Sequence, residues 1–260
     1  MKSCFYSVFF ALATHLVAVA QDTPTADQII DKYLAAIGGK EAVAKIEDLT
    51  LSMTGESQRN GQAFTLEMES KQKKSSKFMT VAYAFGQEVN RTTSDGFKVA
   101  SVRNMMGSQQ NNVTEGPEAT TQILQGALFP ELLYEQYKIQ KNVVGKDTVA
   151  GKEAWKVEFA TQEGKKWFEF FDVANGLKIR KMGNMEGRPG GERLPAPGGQ
   201  GQRGGGMMNV TFFDYKEIKD TSGVKIPFTR QQGAGGFSMK ITVSSAKANK
   251  GLKDGTFEIK

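Results

Sequence analysis

Residues 143–181, VVGKDTVAGKEAWKVEFATQEGKKWFEFFDVANGLKIRK, contain three short extended runs separated by turn-forming residues. Trp155, Val157 and Phe159 alternate with charged residues, which is the period of two expected for a strand with one buried face. The run that follows has aromatic side chains on both faces, which is typical of a more central strand. Asn175-Gly176 then tolerates the positive φ angles of a tight turn before the chain returns. This stretch therefore predicts an antiparallel meander.

The sequence on both sides extends the meander with about ten strands in all. Apolar and polar residues alternate, or nearly so, around 49–53, 64–68, 79–85, 87–93, 96–102, 208–212, 224–228, 237–243 and 257–259. The polar residues 104–116 predict a loop. Because no strand–helix–strand rhythm is present, a parallel sheet is not expected.

Two or three helical segments accompany these strands. Residues 25–39 predict an amphipathic helix that Thr25 caps and Gly38-Gly39 ends, and a further helical turn is expected at 40–46. Residues 118–133 predict another helix, which Pro130 breaks. The predicted fold is thus mainly β, a single curved antiparallel sheet with two or three helices.

The first twenty residues predict a cleaved signal peptide (1–20). Lys2 precedes a nearly continuous apolar run, and Ala18-Val19-Ala20 fits the small-residue cleavage pattern, so cleavage is expected after Ala20. The apolar run is too short to span a bilayer. We therefore expect an exported protein, periplasmic or alternatively secreted, with residues 21–260 as a single domain.

The predicted mature chain contains no cysteine and no histidine, because Cys4 and His15 are the only ones in the sequence. Disulfides, thiol nucleophiles, histidine-based triads and typical zinc sites are thereby excluded, and neither a cofactor nor a metal is expected. Removing Lys2 reduces the formal net charge from +6 to +5, an excess typical of a solvated surface. Affinity for an acidic partner such as a lipid head group is the alternative, and nucleic-acid binding is not expected.

Residues 183–206 form a Gly/Pro-rich stretch, GNMEGRPGGERLPAPGGQGQRGGG. It has too few apolar residues to bury a core, so we expect a flexible insertion between two strands of one sheet. A domain linker is the alternative. The glycines do not have the spacing of a phosphate-binding loop.

The alternating strands predict one continuous apolar face, which either closes into a packed core or leaves a concave groove for a hydrophobic ligand. Under the second alternative, the side chains that line the cavity are Leu51, Met53, Phe64, Leu66, Met68, Met79, Val81, Tyr83, Phe85, Trp155, Val157 and Phe159. The helices that would cover them contribute Ile30, Leu34, Ile123, Leu124 and Leu128.

Several short motifs resemble those of the bacterial outer-membrane lipoprotein-sorting proteins, the LolA/LolB-like family. They are the helix ending Ile37-Gly38-Gly39, the run 151–157 with Phe170-Phe171-Asp172, and Phe213-Asp214-Tyr215-Lys216 followed by 223–228. The resemblance spans most of the predicted mature chain. The insertion at 183–206 departs from the family pattern, and no specific gating arginine can be matched.

The resemblance implies an incomplete β-barrel whose apolar concave face is covered by helices. It also implies a periplasmic, non-enzymatic carrier of acyl lipids or lipoproteins, with at most transient membrane contact; we further expect a monomer. An envelope sensor that detects lipidated proteins and signals to a protein partner is the alternative. A third hypothesis, a carboxylate-based hydrolase using Glu169 and Asp172, is disfavoured because Asp172 begins a hairpin turn.

Overall fold

The computed structural model describes residues 23–59, 62–105, 107–183, 207–234 and 237–259. The predicted signal peptide lies outside these residues, as does the Gly/Pro-rich insertion except for Gly183. None of the helices in the described part of the chain has the length and apolar character needed to cross a membrane.

Thirteen strands form one antiparallel sheet, in the order β6-β5-β4-β3-β2-β1-β13-β12-β11-β10-β9-β8-β7. They are β1 (Asp48–Arg59), β2 (Gln62–Lys73), β3 (Lys77–Ala84), β4 (Gln87–Asp95), β5 (Lys98–Met105), β6 (Ser108–Glu115), β7 (Gln140–Val149), β8 (Lys152–Ala160), β9 (Lys166–Asp172), β10 (Lys178–Gly183), β11 (Met208–Glu217), β12 (Lys225–Ala234) and β13 (Phe237–Ala248). The two halves of the meander join where β1 pairs with β13. Strands β6 and β7 are the free edges, so the sheet curls without closing.

Within the described ranges the chain has three α-helices: α1 (Ala26–Ala36), α2 (Lys40–Ala44) and α3 (Thr120–Gly126). Short 3₁₀ turns occur at Gly116–Ala119, Pro130–Leu132 and Asp254–Phe257. The start of α1 is a capping box, since Gln28 N donates to Thr25 Oγ1 at 3.2 Å and Thr25 N donates to Gln28 Oε1 at 2.8 Å. Five side chains of this helix, and Ile37 just after it, are buried against the concave face of the sheet: Ala26, Ile29, Ile30, Tyr33 and Leu34.

The segment 116–139 connects the two opposite edges of the sheet, β6 and β7. It crosses the concave face: α3 packs on β3 and β5, and Tyr134 packs on Phe159 with ring centroids 5.0 Å apart. We call residues 116–139 the crossing segment. Because β6 and β7 are opposite edges of the sheet, the segment that joins them has to cross one of its faces. The contacts of α3 and Tyr134 show that it crosses the concave face.

Two details differ from the sequence-based expectation. The predicted loop at 104–116 contains β6, whose side chains are mostly exposed because it is an edge strand without an apolar face. The predicted helix at 118–133 is a 3₁₀ turn, the two-turn helix α3 and a second 3₁₀ turn. Helix α3 ends where Ala127 becomes extended and Phe129 adopts a left-handed conformation before Pro130.

The largest apolar core lies between α1, the crossing segment and strands β7–β12. The rings of Phe159 and Trp167 stack there with centroids 5.4 Å apart, and Tyr33 meets Phe171 edge to face at 5.6 Å. These residues are almost completely buried. This core holds α1 and the second half of the crossing segment on the β7–β12 side of the sheet, whereas α3 packs on β3 and β5.

Candidate functional site

A cavity of about 820 Å³ lies between the concave face of the sheet and the crossing segment. Its apolar lining is formed by Leu49, Leu51, Met53, Leu124, Leu128, Phe129, Val210, Phe212, Ile226, Phe228, Ile241 and Val243. Exposed residues also border it, namely Gln125 of α3 and Gly164 and Lys166 of the β8–β9 turn. The cavity is therefore open to solvent beside α3 and this turn.

The central strands build the apolar wall through their period of two. Alternate residues of β12 (Ile226, Phe228, Arg230 and Gln232) all border the cavity. Cross-strand neighbours share a face, so Phe212 of β11 and Ile241 of β13 flank Arg230 on either side. Arg230 thus lies in the middle of an apolar wall.

One end of the cavity carries buried ionic groups. The ammonium of Lys178 pairs with Glu131 of the crossing segment and lies 2.7 Å from Glu169 Oε2 on β9. Lys181 Nζ is 3.5 Å from Glu169 Oε1, which also accepts hydrogen bonds from Trp167 Nε1 and Tyr134 Oη, each at 3.2 Å. We call Glu131, Glu169, Lys178 and Lys181 the buried ion network.

The network shifts the pKa values of its members. Burial alone raises the pKa of Glu169, but the ammonium groups of Lys178 and Lys181 outweigh it and hold the pKa below its usual value. Burial lowers the pKa of Lys178, yet Glu131 and Glu169 more than compensate, so the net shift is upward. Lys181 is different, since burial dominates and its pKa is lowered. Glu169 and Lys178 are therefore both ionised at neutral pH.

This network links the covering layer to the sheet. Glu131 belongs to the crossing segment, whereas Lys178 and Glu169 belong to β10 and β9. The ammonium of Lys178 also lies 5.1 Å from the ring of Tyr33 in α1. Any movement of the crossing segment away from the sheet would separate a buried charge pair, which favours the closed arrangement.

Arg230 differs from the network because no carboxylate among the described residues pairs with it. Its Nε atom is buried without a hydrogen-bond partner there, and its Nη2 atom lies 3.8 Å from Met53 Sδ. Burial lowers the pKa of Arg230. A guanidinium stays protonated nevertheless, so the apolar wall contains a permanent positive charge.

Only some of the residues expected to line a cavity border it. Leu51 and Met53 do so, and Leu66 and Met68 pack against Met53 in a methionine-rich cluster on the same face. Phe64 lies nearer the tip of the β1–β2 hairpin, where its side chain is exposed. The first hairpin therefore contributes to the cavity mainly through β1.

The expected β3 residues lie on the opposite, convex face. Met79, Val81 and Tyr83 pack against Phe257 of the C-terminal 3₁₀ turn, whereas Phe78 faces α3. The expectation followed the right alternation but assigned it to the wrong face, because the β2–β3 register pairs Phe78 with the cavity residue Gln72. Phe85 is fully exposed in the turn after β3, at a φ of 52°.

The expected β8 residues and covering residues lie mainly in the packed core. Val157 and Phe159 are completely buried, and Trp155 is partly buried against the same core. Among the covering residues, Leu124 and Leu128 border the cavity, whereas Ile30, Leu34 and Ile123 are buried in core clusters. The described residues thus form a packed core, largest on the β7–β12 side, and a cavity beside it.

The carboxylates of the hydrolase hypothesis cannot act as a pair. Glu169 and Asp172 are three residues apart on one strand, so they project from opposite faces. Glu169 is engaged in the buried ion network, and Asp172 Oδ1 accepts a hydrogen bond from Ala174 N at 2.8 Å in the hairpin turn. Neither carboxylate is placed to flank a common substrate.

The sequence analysis missed the charged residues of the site, although a signal for them exists. In β9, Glu169 has the same inward register as Trp167 and Phe171, and in β12 Arg230 has the same register as Phe228. A charged residue at an inward position of an apolar alternation is unusual and marks a buried charge. The partners of these residues could not be identified, because they come from distant parts of the chain.

Comparisons with known proteins find similarity to solved structures. No protein-family model and no curated protein sequence matches the chain. A DUF1329 family protein from Desulfovibrio piger matches with a TM-score of 0.57 and 12% identity, covering 91% of this chain and 98% of that one. A LolA superfamily protein from Nitrosomonas europaea matches with a TM-score of 0.57 and 10% identity, covering 91% and 99%.

A third similar structure is a domain from Vibrio parahaemolyticus named for outer-membrane lipoprotein sorting. It matches with a TM-score of 0.52 and 14% identity, covering 88% of this chain and 97% of that chain. At these identities the matches establish architecture rather than activity. The open curved sheet, the helices against its concave face and these three similarities together show that the chain has the LolA/LolB-like fold.

Proposed function

We propose that this protein is a non-enzymatic carrier of acyl lipids or lipoproteins, exported to the periplasm. The observation that carries the proposal is the open apolar cavity on the concave face. The predicted signal peptide supports export, and the lipoprotein-sorting name of the Vibrio parahaemolyticus structure supports a role in the cell envelope.

The volume of the cavity suits at least one acyl chain. Small-molecule sites commonly enclose ~300–1,000 Å³, and 820 Å³ lies within that range. If a methylene group is given a volume of ~30 Å³, similar to that of a water molecule, the cavity has room for roughly 25 such groups. Each methylene transferred from water contributes about 0.8 kcal/mol, so even a partly inserted chain would be bound favourably.

The first experiment is native mass spectrometry of the protein purified from the periplasmic fraction without detergent. We expect co-purified mass that corresponds to acyl lipid and that is released on denaturation. A protein that carries no such mass and also fails to bind the apolar dye N-phenyl-1-naphthylamine would contradict the proposal.

A pair of neighbouring variants tests whether the cavity is the site. Val243 borders the cavity, whereas Thr242 is exposed on the convex face of the same strand. In Val243→Glu, a carboxylate in the apolar wall opposes ligand entry by several kcal/mol, so we expect dye affinity to fall at least about tenfold. Thr242→Glu should bind as the parent protein does. Equal binding by both variants would place the dye elsewhere.

A further inference from the structure

Arg230 is a positive charge built into the apolar wall of the cavity. Its cross-strand neighbours on the same face are Phe212 and Ile241, and its guanidinium Nη2 lies 3.8 Å from the thioether sulfur of Met53. Its Nε atom is buried and has no hydrogen-bond partner among the described residues. Arg230 as a whole is half-buried and borders the cavity, so a bound anion there can supply the hydrogen-bond acceptors that the described residues do not.

The other charges that border the cavity are already balanced. Lys178 is shared between Glu131 and Glu169, and Lys181 lies 3.5 Å from Glu169. The two carboxylates and two ammonium groups of the buried ion network therefore cancel. Arg230 remains as a surplus positive charge within the described lining.

The two rim lysines are also paired. Lys165 Nζ lies 2.6 Å from Glu118 Oε2, and Lys166 Nζ lies 2.9 Å from Glu158 Oε1. These carboxylates lie outside the cavity lining, so they do not compensate Arg230. The surplus charge is therefore localised at one point of the wall.

A comparison within the chain shows that the situation of Arg230 is specific. Arg180 also has a buried Nε without a hydrogen bond, but its guanidinium lies 5.9 Å from the ring of Phe170, away from the cavity. That stacking provides a partial partner. Arg230 borders an open cavity instead, where a ligand can reach it.

We infer that Arg230 binds the anionic head of the ligand, so that the preferred occupant is an acyl chain that ends in a compact oxyanion, a carboxylate or a phosphate. This inference rests on the proposed function and adds the chemical class of the ligand. The planar guanidinium can donate two parallel hydrogen bonds to either oxyanion. The acyl chain lies along the apolar side chains of β1, β11 and β13, of which Leu51, Val210 and Val243 border the cavity.

The experiment compares ligands that share one chain and differ in the head group. Dodecanoate, dodecan-1-ol and dodecyl phosphate are titrated at pH 7 against the purified protein loaded with N-phenyl-1-naphthylamine, and displacement of the dye gives each affinity. We expect dodecanoate or dodecyl phosphate to bind roughly 10- to 100-fold more tightly than dodecan-1-ol, as for a charge-assisted hydrogen-bonded pair. Which of the two binds more tightly identifies the head group.

The variant Arg230→Met tests the residue, because methionine keeps an unbranched, flexible side chain and removes the charged guanidinium. We expect the preference for the anion to disappear, the affinity for dodecan-1-ol to be kept, and the melting temperature without ligand to be unchanged or raised. Arg230→Lys, which keeps the charge but not the planar fork, should retain part of the preference.

The outcomes separate this inference from the proposed function. If the parent protein binds dodecanoate, dodecyl phosphate and dodecan-1-ol equally, or if Arg230→Met keeps the preference, the inference is overturned and the apolar carrier remains. The comparison of ligands on the parent protein needs no variant to fold. If neither the dye nor any of the three ligands binds, the proposed function fails as well.

Discussion

Replacing Lys178 by methionine tests the buried ion network most directly. The side chains of Lys178, Glu131 and Glu169 have relative exposures of 7%, 2% and 0%. Removal of the ammonium leaves Glu169 with Lys181 and its two hydrogen bonds, but removes the only partner that the structure describes for the Glu131 carboxylate. The variant therefore contains a buried carboxylate without compensation.

The expected loss follows from that uncompensated charge. Breaking a buried pair by removing one partner costs about 3–5 kcal/mol in the free energy of unfolding. For a chain of this length, each kcal/mol lowers the melting temperature by about 2–4 °C, so we expect a decrease of roughly 6–20 °C. Urea denaturation at pH 7, followed by circular dichroism, measures the free energy directly.

Lys181→Met is the matched control. Lys181 is a second lysine of β10, but it lies 3.5 Å from Glu169, and burial lowers its pKa, so its charged form is less well stabilised. We expect a loss of at most about 1 kcal/mol. A second control, the double variant Lys178→Met with Glu131→Gln, should recover much of the free energy of unfolding, because the unpaired carboxylate of Glu131 is removed.

The pH dependence of the stability provides an independent test of the buried ion network. The pKa of Glu169 is lowered in the folded protein, so its contribution to stability is present at neutral pH and is lost as the pH falls below the ordinary carboxyl range of about 4. In Lys178→Met, the ammonium group that contributes most to lowering the pKa of Glu169 is absent, so burial raises the pKa of this carboxylate. The stability difference between parent and variant should therefore narrow from pH 7 to pH 5. A Lys178→Met protein within about 1 kcal/mol of the parent at pH 7 would refute this reasoning.

Two further predictions concern packing and tethering. In Gly126→Ala, the added Cβ would lie 2.5 Å from the ring of Phe78, so we expect the free energy of unfolding, measured by urea denaturation, to fall by about 1–3 kcal/mol. In the control Gly255→Ala, the added Cβ would lie 3.7 Å from Glu258 Oε1, and the change should stay within about 0.5 kcal/mol. Similar losses for both would argue against the α3–β3 contact. Asp48 accepts backbone N–H groups of residues 250–252 at 2.8–3.1 Å, so Asp48→Ala should lower stability by about 2 kcal/mol and increase amide exchange in that segment; unchanged exchange would contradict the tether.

Local patterns in the sequence were sufficient for much of the fold. The alternation of Trp155, Val157 and Phe159 predicted β8, Asn175-Gly176 predicted the turn before β10, and Thr25 predicted the start of α1. Each of these depends on interactions between residues close together in the chain. The family resemblance then predicted the open curved sheet that the structure has.

The candidate site was less predictable because its geometry depends on register and on distant partners. The period of two indicates which residues of β3 share a face. Which of these two sets lies on the concave face is shown only by the pairing of Phe78 with Gln72. Register irregularities also change the pairing, as where β13 has an extra residue opposite Ser52 and Met53 and β4 has one opposite Ala82 and Tyr83. The sequence signal of a bulge is too weak to locate it.

The sequence by itself therefore determined the elements of this protein: one-faced strands, a capped helix and sequential hairpins, all specified by neighbouring residues. Only the tertiary structure decided where the cavity lies and what it contains. The crossing segment connects the two edges of the sheet over the concave face, and Glu131 thereby contacts Lys178, which is 47 residues away in the sequence. Arg230 has no carboxylate partner among the described residues. These contacts depend on which surfaces pack together in the curved sheet, and local sequence patterns do not specify that packing.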